Sequence, residues 1–256
     1  MIFFILPIFN EEKNLPSLIS DIRKSMKDQE YKILAINDGS TDNSLEILYK
    51  LQSYDIIIIN SLVNMNVGAT FSAGIDTVLA ESKDNDDIVV VMEGDQTSTI
   101  NYALNLISEL RKREDDIVIA SRYKRNGGVV HFPLIRRIYS RCASALMHYY
   151  FPINSNISDY TIFFRSYRVG IFKKAIRYFG KFGLIQSKGF GANTELLIKL
   201  SMLTNRISEI PFVYDYSRKE GKSKIKVLRT IGEYFIILSY LRSGVKKVNA
   251  VLSKKN

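Results

Sequence analysis

Cysteine and histidine are scarce in this sequence. Its 256 residues include one cysteine, Cys142, and two histidines, His131 and His148. One cysteine excludes an internal disulfide framework and a cysteine zinc cluster, and two histidines leave little for a histidine metal site. We therefore expect any bound metal to be a hard cation that is held by oxygen atoms.

Long apolar runs are also missing. Residues 1–6 are apolar, but no basic region precedes them and the run stops at Pro7, so we expect no signal peptide. The best later run, 234–241, is far shorter than the roughly 20 residues of a membrane-spanning helix. If this protein meets a membrane, we expect it to lie on the surface.

Negative charge is scarce near the C-terminus. The net charge is +10, and residues 217–256 carry +9 of it because eleven Lys or Arg residues oppose two Glu. Such a segment suits an anionic partner, which could be a membrane surface, a phosphate ligand or a nucleic acid. An amphipathic basic helix can lie in a membrane interface, or it can pack on the body of the protein. The apolar stripe of this helix is formed by Ile225, Leu228, Ile231, Phe235 and Leu238.

Strand and helix patterns alternate along the first half of the chain. Short segments rich in Ile and Val predict buried strands at 2–6, 32–36, 55–59, 88–92 and 117–120. Helical patterns separate them at 15–26, 44–51, 69–79 and 100–110. This order predicts an α/β fold with a Rossmann-like, mostly parallel central sheet flanked by helices. Beyond residue 130 we predict helices at 133–150, 168–178 and 193–203, strands at 161–164 and 208–216, and one or two helices within 225–252.

Polar residues follow each of the five predicted strands. The motifs are PIFNEE (7–12), NDGST (37–41), NMNVGA (64–69), EGDQTS (93–98) and SRYKR (121–125). Ligands of open α/β sheets bind outside the carboxyl ends of the strands, so these motifs predict one shared site. Glu93 and Asp95 could hold Mg²⁺ or Mn²⁺ on phosphate oxygens, or they could form a solvated acidic turn. Basic residues that could bind phosphate, or simply solvate the surface, are Arg122, Arg136, Arg218 and Lys224.

Taken in order, these motifs resemble the family 2 glycosyltransferases of GT-A fold, and within them the polyprenyl-phosphate (dolichyl-phosphate) mannosyl- and glucosyltransferases. The later motifs of the resemblance are RRIYSRCASAL (136–146), SDYTIFFRSYR (158–168), SKGFGANTELL (187–197) and RKEGKSK (218–224). The resemblance implies a GT-A glycosyltransferase domain over 1–224 and a basic amphipathic helical tail over 225–256, which would be membrane-interfacial.

The resemblance also implies roles for individual residues. Nucleotide binding is implied for Pro7, Phe9, Glu11, Asp38, Gly68 and Glu93. A divalent cation, Mg²⁺ or Mn²⁺, would be held by Glu93, Asp95 and Gln96. The implied catalytic set is Asp95, Arg122, Arg136 and Ser140. The acceptor phosphate would be bound by Arg122, Arg136, Ser140, Arg218, Ser223 and Lys224. Acidic positions in the acceptor half are taken by Asp159 and Glu195.

The reaction implied by the resemblance is transfer of a hexose, with inversion, from a nucleotide-diphosphate sugar of the GDP-mannose or UDP-glucose type. The acceptor would be a polyprenyl or dolichyl phosphate. One alternative is transfer onto a hydroxyl of a glycan or cell-envelope polymer, with Asp159 or Glu195 as base. Another is a non-catalytic nucleic-acid- or membrane-binding protein on a degenerate GT-A body.

The implied partners are the nucleotide-sugar donor, the lipid-phosphate acceptor, a membrane surface and a small membrane-anchoring protein; no nucleic acid is expected. The implied location is cytoplasmic, at the periphery of the cytoplasmic face of a membrane.

Overall fold

The computed structural model describes residues 1–151, 157–218 and 227–252, and within the last segment the side chains of 229–241. The strands are β1 (Ile2–Ile8), β2 (Tyr31–Asp38), β3 (Ile56–Ser61), β4 (Ile88–Val91), β5 (Ile117–Ser121), β6 (Gly128–Val130), β7 (Arg165–Arg168), β8 (Ile207–Pro211) and β9 (Val213–Asp215). The helices are α1 (Leu15–Met26), α2 (Ser44–Leu51), α3 (Asn66–Glu81), α4 (Ile100–Arg113), α5 (Leu134–Tyr150), α6 (Val169–Phe179), α7 (Gly191–Ser201) and α8 (Val227–Leu252).

Seven of these strands form the central sheet, in the order β3-β2-β1-β4-β7-β5-β8. β7 runs antiparallel to its neighbours β4 and β5, and the other neighbouring pairs are parallel. The predicted α/β class with a mostly parallel, helix-flanked sheet is therefore confirmed. β6 and β9 form a separate parallel pair beside this sheet.

Local sequence explains the strongest elements. Every residue of β4 and of β5 is buried, as expected for runs of Ile and Val in strands that are covered on both faces. α1 buries residues that recur at the spacing of one helix face, and these are Leu15, Leu18, Ile19, Ile22 and Met26. The predicted bounds of α1 and α2 agree with the structure.

The predicted strand at 161–164 is wrong, because the strand of this region begins later, at Arg165. The backbone N–H groups of Thr161 and Ile162 instead donate to Asp159 Oδ1 at 3.2 Å and so form a turn. The predicted strand at 208–216 is divided between two sheets, since β8 pairs with β5 whereas β9 pairs with β6.

α8 packs on the body over its described side chains. It contacts α5 and α7 and buries Ile237, Leu238 and Leu241, while Phe235 and Ile236 are each 61% exposed. The predicted apolar stripe is therefore divided, with Leu238 in the core and Phe235 at the surface; Ile225 and Leu228 lie outside the described side chains. Among the helices of the described chain, none has the length and apolar character that a membrane crossing requires.

Candidate active site

The loops after β1, β2 and β4 line one cleft at the carboxyl edge of the sheet. Because the three strands are parallel, their following loops meet at the same edge. Asp95, in the loop after β4, lines this cleft. Five of the six residues predicted to bind nucleotide also line it, and these are Pro7, Phe9, Glu11, Asp38 and Glu93. The structure thus brings together residues that are far apart in the chain, as the strand-end motifs predict.

Gly68, the sixth residue predicted to bind nucleotide, does not line the cleft itself but lies between residues that do. Its N–H donates to the Lys188 carbonyl at 2.9 Å, and a Cβ at this position would clash with the Ser187 carbonyl oxygen. Val67 and Thr70, on either side of Gly68, line the cleft. Gly68 therefore allows α3 to approach the 187–188 backbone closely, which a larger residue would prevent.

Glu93 and Asp95 converge on Thr97. Thr97 Oγ1 lies 2.5 Å from Asp95 Oδ1 and 3.0 Å from Glu93 Oε2, and the Thr97 N–H donates to Asp95 Oδ1 at 3.2 Å. In the described part of the chain, no three His, Cys, Asp or Glu residues form a metal-binding group by themselves. Mg²⁺ is commonly bound by one or two carboxylates together with substrate phosphates, so this donor pair fits a cation shared with a diphosphate.

Gln96, the third predicted metal ligand, is directed elsewhere. Its backbone has a left-handed conformation, with φ of 63°, and its Nε2 donates to Ser17 Oγ on α1. The structure therefore groups Glu93 with Asp95 and places the Gln96 carboxamide against α1.

Asp38, the last residue of β2, is a buried carboxylate that lines the cleft. Its Oδ1 accepts a hydrogen bond of 2.6 Å from the Met65 N–H. Burial raises the pKa of Asp38, although backbone hydrogen bonds from Met65 and Asn66 oppose this effect. Asp38 thus holds the loop after β3 at the edge of the cleft.

A second cavity, of about 420 Å³, adjoins the cleft. Arg122, Arg136 and Ser140 line it, and its remaining walls are largely apolar side chains of α5, α8 and the 161–163 turn. Residues that line both spaces are Glu93, Phe132, Arg136, Phe163, Phe190 and Tyr214. The cleft that holds Glu93 and Asp95 therefore meets the apolar cavity, and Arg136 lines both spaces.

Arg122 is held by a buried ion pair. Its Nε and Nη2 each donate to one oxygen of Asp159 at 2.7 Å, and its backbone N–H donates to Asp159 Oδ2 at 3.1 Å. Burial alone would raise the pKa of Asp159, but the charge and hydrogen bonds of Arg122 outweigh burial and lower it. Asp159 is therefore a charged partner of Arg122 rather than a free acid.

Two hydroxyl groups contact the Arg122 guanidinium, and a third reaches it through Ser140. Arg122 Nη2 donates to Thr161 Oγ1 at 2.7 Å and to Ser140 Oγ at 3.0 Å. The Tyr123 hydroxyl donates to Ser140 Oγ at 2.8 Å, and the guanidinium groups of Arg122 and Arg141 lie 5.3 and 5.4 Å from the Tyr123 ring centre. Cations and hydroxyls thus gather at the polar end of the apolar cavity.

The remaining predicted site residues lie outside these two spaces or outside the described chain. Glu195 is buried and accepts hydrogen bonds from Lys199 Nζ and from the backbone N–H groups of Gln186 and Ser187. Arg218 is exposed, with its Nε 3.8 Å from Asp215 Oδ2. Two predicted residues lie outside the described chain, namely Ser223 and Lys224.

Sequence reasoning missed several residues of the site. Thr97 lies inside the EGDQTS motif, and Tyr123 and Thr161 adjoin predicted residues, so their positions carried a local signal. No local sequence signal pointed to Tyr214, because this residue reaches the cleft through the pairing of β9 with β6. Burial, reinforced by the charges of Glu93 and Asp95, raises the pKa of Tyr214, so its phenol stays protonated.

Relatives of this chain share the predicted class of reaction. A dolichol-phosphate mannosyltransferase of Pyrococcus furiosus is 27% identical over 231 residues, which cover 90% of this chain and 60% of that protein. An undecaprenyl-phosphate mannosyltransferase of Micrococcus luteus is 24% identical over 223 residues, which cover 86% of each chain. A dodecaprenyl-phosphate galacturonate synthase of Rhizobium johnstonii is 25% identical over 243 residues, which cover 93% of this chain and 65% of that protein. The chain thus spans less than two thirds of the first and third relatives.

Solved structures share the fold. Glucosyl-3-phosphoglycerate synthase of Mycobacterium tuberculosis, in complex with Mn²⁺, UDP and glucosyl-3-phosphoglycerate, matches with a TM-score of 0.66 at 16% identity. The match covers 95% of this chain and 79% of that one, and it confirms the GT-A fold. The family model described as Glycosyl transferase family 2 matches residues 3–176, which are more than half of the sequence. The chain therefore belongs to glycosyl transferase family 2.

Proposed function

We propose that this protein transfers a hexose from a nucleotide-diphosphate sugar to a polyprenyl or dolichyl phosphate, with a bound Mg²⁺ or Mn²⁺. The observation that carries the proposal is the junction of the two spaces at Arg136. A cleft that contains the convergent carboxylates of Glu93 and Asp95 suits a metal-bound diphosphate, and an apolar cavity beside it suits a hydrocarbon chain. The names of the three relatives each combine a sugar with dolichol phosphate or another polyprenyl phosphate, which supports the same acceptor class.

An acceptor that is already ionised fits this site better than a hydroxyl acceptor. A hydroxyl acceptor needs a carboxylate base. Asp159 is fully engaged with Arg122, and Glu195 is engaged with Lys199 and two backbone N–H groups. The second pKa of a phosphate monoester is about 6, so the phosphate is largely dianionic at neutral pH. Such an acceptor needs positioning rather than deprotonation.

The transfer would proceed as an in-line displacement. An oxygen of the acceptor phosphate forms a bond to the anomeric carbon, and the bond from that carbon to the donor diphosphate oxygen breaks, with inversion. The nucleoside diphosphate leaves with the bonding electron pair. Arg136 and Ser140 would orient the acceptor phosphate, with Arg122 fixed behind them by Asp159. Glu93 and Asp95 would hold the cation, which when bound neutralises charge on the diphosphate.

Arg136→Ala tests the acceptor class. GDP-mannose, UDP-glucose and UDP-N-acetylglucosamine would each be offered with a short-chain polyprenyl phosphate, and transfer measured as radiolabelled lipid product. We expect Arg136→Ala to lower kcat/KM for the lipid phosphate by about 100-fold. Arg177→Ala is the control, since Arg177 is an exposed arginine on α6 that lines neither space. A folded Glu195→Gln variant that loses far more rate than Arg136→Ala would contradict the proposal and favour a hydroxyl acceptor.

The surface around the apolar cavity supports peripheral membrane binding. On α5, Leu134, Ile135 and Ile138 are 68%, 65% and 51% exposed, and the exposed residues Arg137 and Arg141 lie beside them. Apolar side chains next to cations suit the interface of an anionic bilayer. We propose that α5 and the exposed side of α8 contact this interface; the cytoplasmic face and a small anchoring protein stay predictions.

Liposome flotation tests this surface. We expect wild-type protein to float with vesicles of phosphatidylglycerol and phosphatidylcholine at low salt, and a variant with both Ile135→Asp and Ile138→Asp to stay in the soluble fraction. Leu62→Asp is the control, because Leu62 is 93% exposed but lies on neither helix. Equal flotation of the double variant and wild type would show that another surface binds the membrane.

A further inference from the structure

Two glutamates, the buried Glu195 and the partly buried Glu233, hold the segment 186–191 between three helices. Glu195 of α7 accepts from the N–H groups of Gln186 and Ser187, at 3.1 and 2.7 Å. Glu233 of α8 accepts from the N–H groups of Gly189 and Gly191, at 3.1 and 2.9 Å. The third helix is α3, where Gly68 contacts the same segment. Four backbone donors of one short segment thus end on two carboxylates.

Gly189 and Gly191 have no side chain, and this leaves room for the Glu233 side chain. A Cβ on Gly189 would clash with Glu233 Oε1, and a Cβ on Gly191 would lie 3.0 Å from Glu233 Cβ. The Glu233 side chain is 12% exposed, and Arg229 Nε lies 3.5 Å from its Oε1. Hydrogen bonds from N–H groups to a charged carboxylate are stronger than those between neutral groups, so this contact fixes two peptide units firmly.

Phe190 lies between the two peptide units that Glu233 fixes. Its ring lines both the nucleotide cleft and the apolar cavity, and its centre is 5.7 Å from that of Phe163. The position of the shared wall between donor and acceptor spaces therefore depends on where Glu233 holds the backbone on either side of Phe190.

Helix α8, which carries Glu233, also forms part of the acceptor cavity. One face of α8 lines this cavity through Thr230, Ile231, Tyr234 and Phe235. Glu233 lies next to these residues in the helix. A shift of α8 would therefore move the cavity wall and Phe190 together.

We propose that Glu233 is a positioning residue that sets Phe190, and with it the acceptor site, from the C-terminal helix. The proposal rests on the proposed function for its kinetic consequence, but the placement of Phe190 is measurable without any substrate. It assigns α8 a part in the acceptor site that goes beyond membrane attachment.

Tryptophan at position 190 provides the first test, because the sequence contains no tryptophan and the substituted residue would be a unique fluorophore. We expect adding Glu233→Gln to a Phe190→Trp protein to increase acrylamide quenching of the indole by about twofold, since one of the two backbone N–H groups loses its acceptor. Glu46→Gln, which changes an exposed glutamate paired with Lys50, is the control and should leave quenching unchanged. Equal quenching with and without Glu233→Gln would overturn the proposal, whatever the enzyme transfers.

Kinetics of single variants with Phe190 intact provide the second test. We expect Glu233→Gln to raise KM for the polyprenyl phosphate by about tenfold and KM for the nucleotide sugar by clearly less. Phe190 lines both spaces, whereas the lining residues of α8 belong to the acceptor cavity alone. Glu233→Asp should recover part of the loss, because it keeps the charge. An equal rise in both KM values would indicate general loosening of the fold and would overturn the positioning role. If the wild type transfers nothing to a lipid phosphate, the proposed function fails, and the quenching result alone decides the role of Glu233.

Discussion

Arg122 and Asp159 form a two-point ion pair beside the apolar cavity, which Arg122 lines. Both N–H···O distances are 2.7 Å, and Asp159 is completely buried. The same carboxylate accepts from the backbone of Thr161 and Ile162. The pair therefore fixes both the Arg122 guanidinium, which lines the apolar cavity, and the turn that precedes β7.

Removal of the Asp159 charge tests how much the fold depends on this pair. We expect Asp159→Asn to lower the free energy of unfolding by about 3 kcal/mol, because it leaves a buried guanidinium without its counter-charge. Urea denaturation followed by circular dichroism would measure the change. Asp215→Asn, which alters the exposed pair with Arg218, should leave the stability nearly unchanged. Equal effects of the two substitutions would contradict the structural role of the buried pair.

The Arg23–Asp55 pair predicts a pH dependence of stability. Arg23 Nε and Nη2 donate to the two Asp55 oxygens at 2.8 and 2.9 Å, and these hydrogen bonds lower the pKa of Asp55. The pKa of an Asp in the unfolded chain is about 3.9, so the pair stabilises the fold fully above that pH. The stabilisation is lost as the pH falls through the lower pKa of the folded state.

Asp55→Asn is accordingly expected to lower the free energy of unfolding by about 1 kcal/mol at neutral pH, a modest value because Arg23 is partly exposed. The difference between the variant and wild type should shrink below about pH 4. Urea denaturation at several pH values would measure it. A difference that stays constant down to about pH 3 would contradict the lowered pKa of Asp55.

Two glycine substitutions should act in opposite directions. Gly68→Ala would place a methyl group against the Ser187 carbonyl, so we expect a loss of about 1–3 kcal/mol in unfolding free energy. At Gly232, an exposed position of α8, a Cβ would meet nothing within 4 Å, and Gly232→Ala should stabilise the fold by about 0.5–1 kcal/mol. Thermal denaturation of both variants would check the signs. A stabilised Gly68→Ala protein would show that α3 does not approach the 187–188 backbone closely.

Asp95 and Gln96 should differ sharply in metal dependence, although both were predicted as ligands. Asp95→Ala should remove the Mn²⁺-dependent part of nucleoside diphosphate binding and lower transfer by about 100-fold or more. Gln96→Ala should leave both within about twofold of wild type, since its carboxamide contacts Ser17 on α1. Isothermal titration with and without Mn²⁺, using whichever of GDP and UDP the wild type binds, would measure binding. Unchanged Mn²⁺ dependence in Asp95→Ala would exclude the proposed cation site.

Much of the fold, and the cleft at the carboxyl edge of the sheet, could be predicted from the sequence. Alternating strand and helix patterns predicted a mostly parallel sheet, and parallel strands necessarily present their carboxyl ends at one edge. Pro7, Asp38 and Asp95 could therefore be assigned to one cleft from their positions after apolar runs. The reversed strand β7 was not accessible, because the turn before it depends on the Asp159 carboxylate, whose charge is fixed by Arg122.

The sequence by itself determined the order of elements, the motifs at the strand ends and the family resemblance, because these depend on neighbouring residues and their spacing. Tertiary structure alone decided that Asp159 neutralises Arg122, that Tyr214 reaches the cleft and that Glu233 holds the backbone around Phe190. Each of these contacts joins segments that lie tens of residues apart in the chain. No local propensity encodes such a contact, since the packing of the helices and of the two sheets sets which distant groups come within hydrogen-bonding distance.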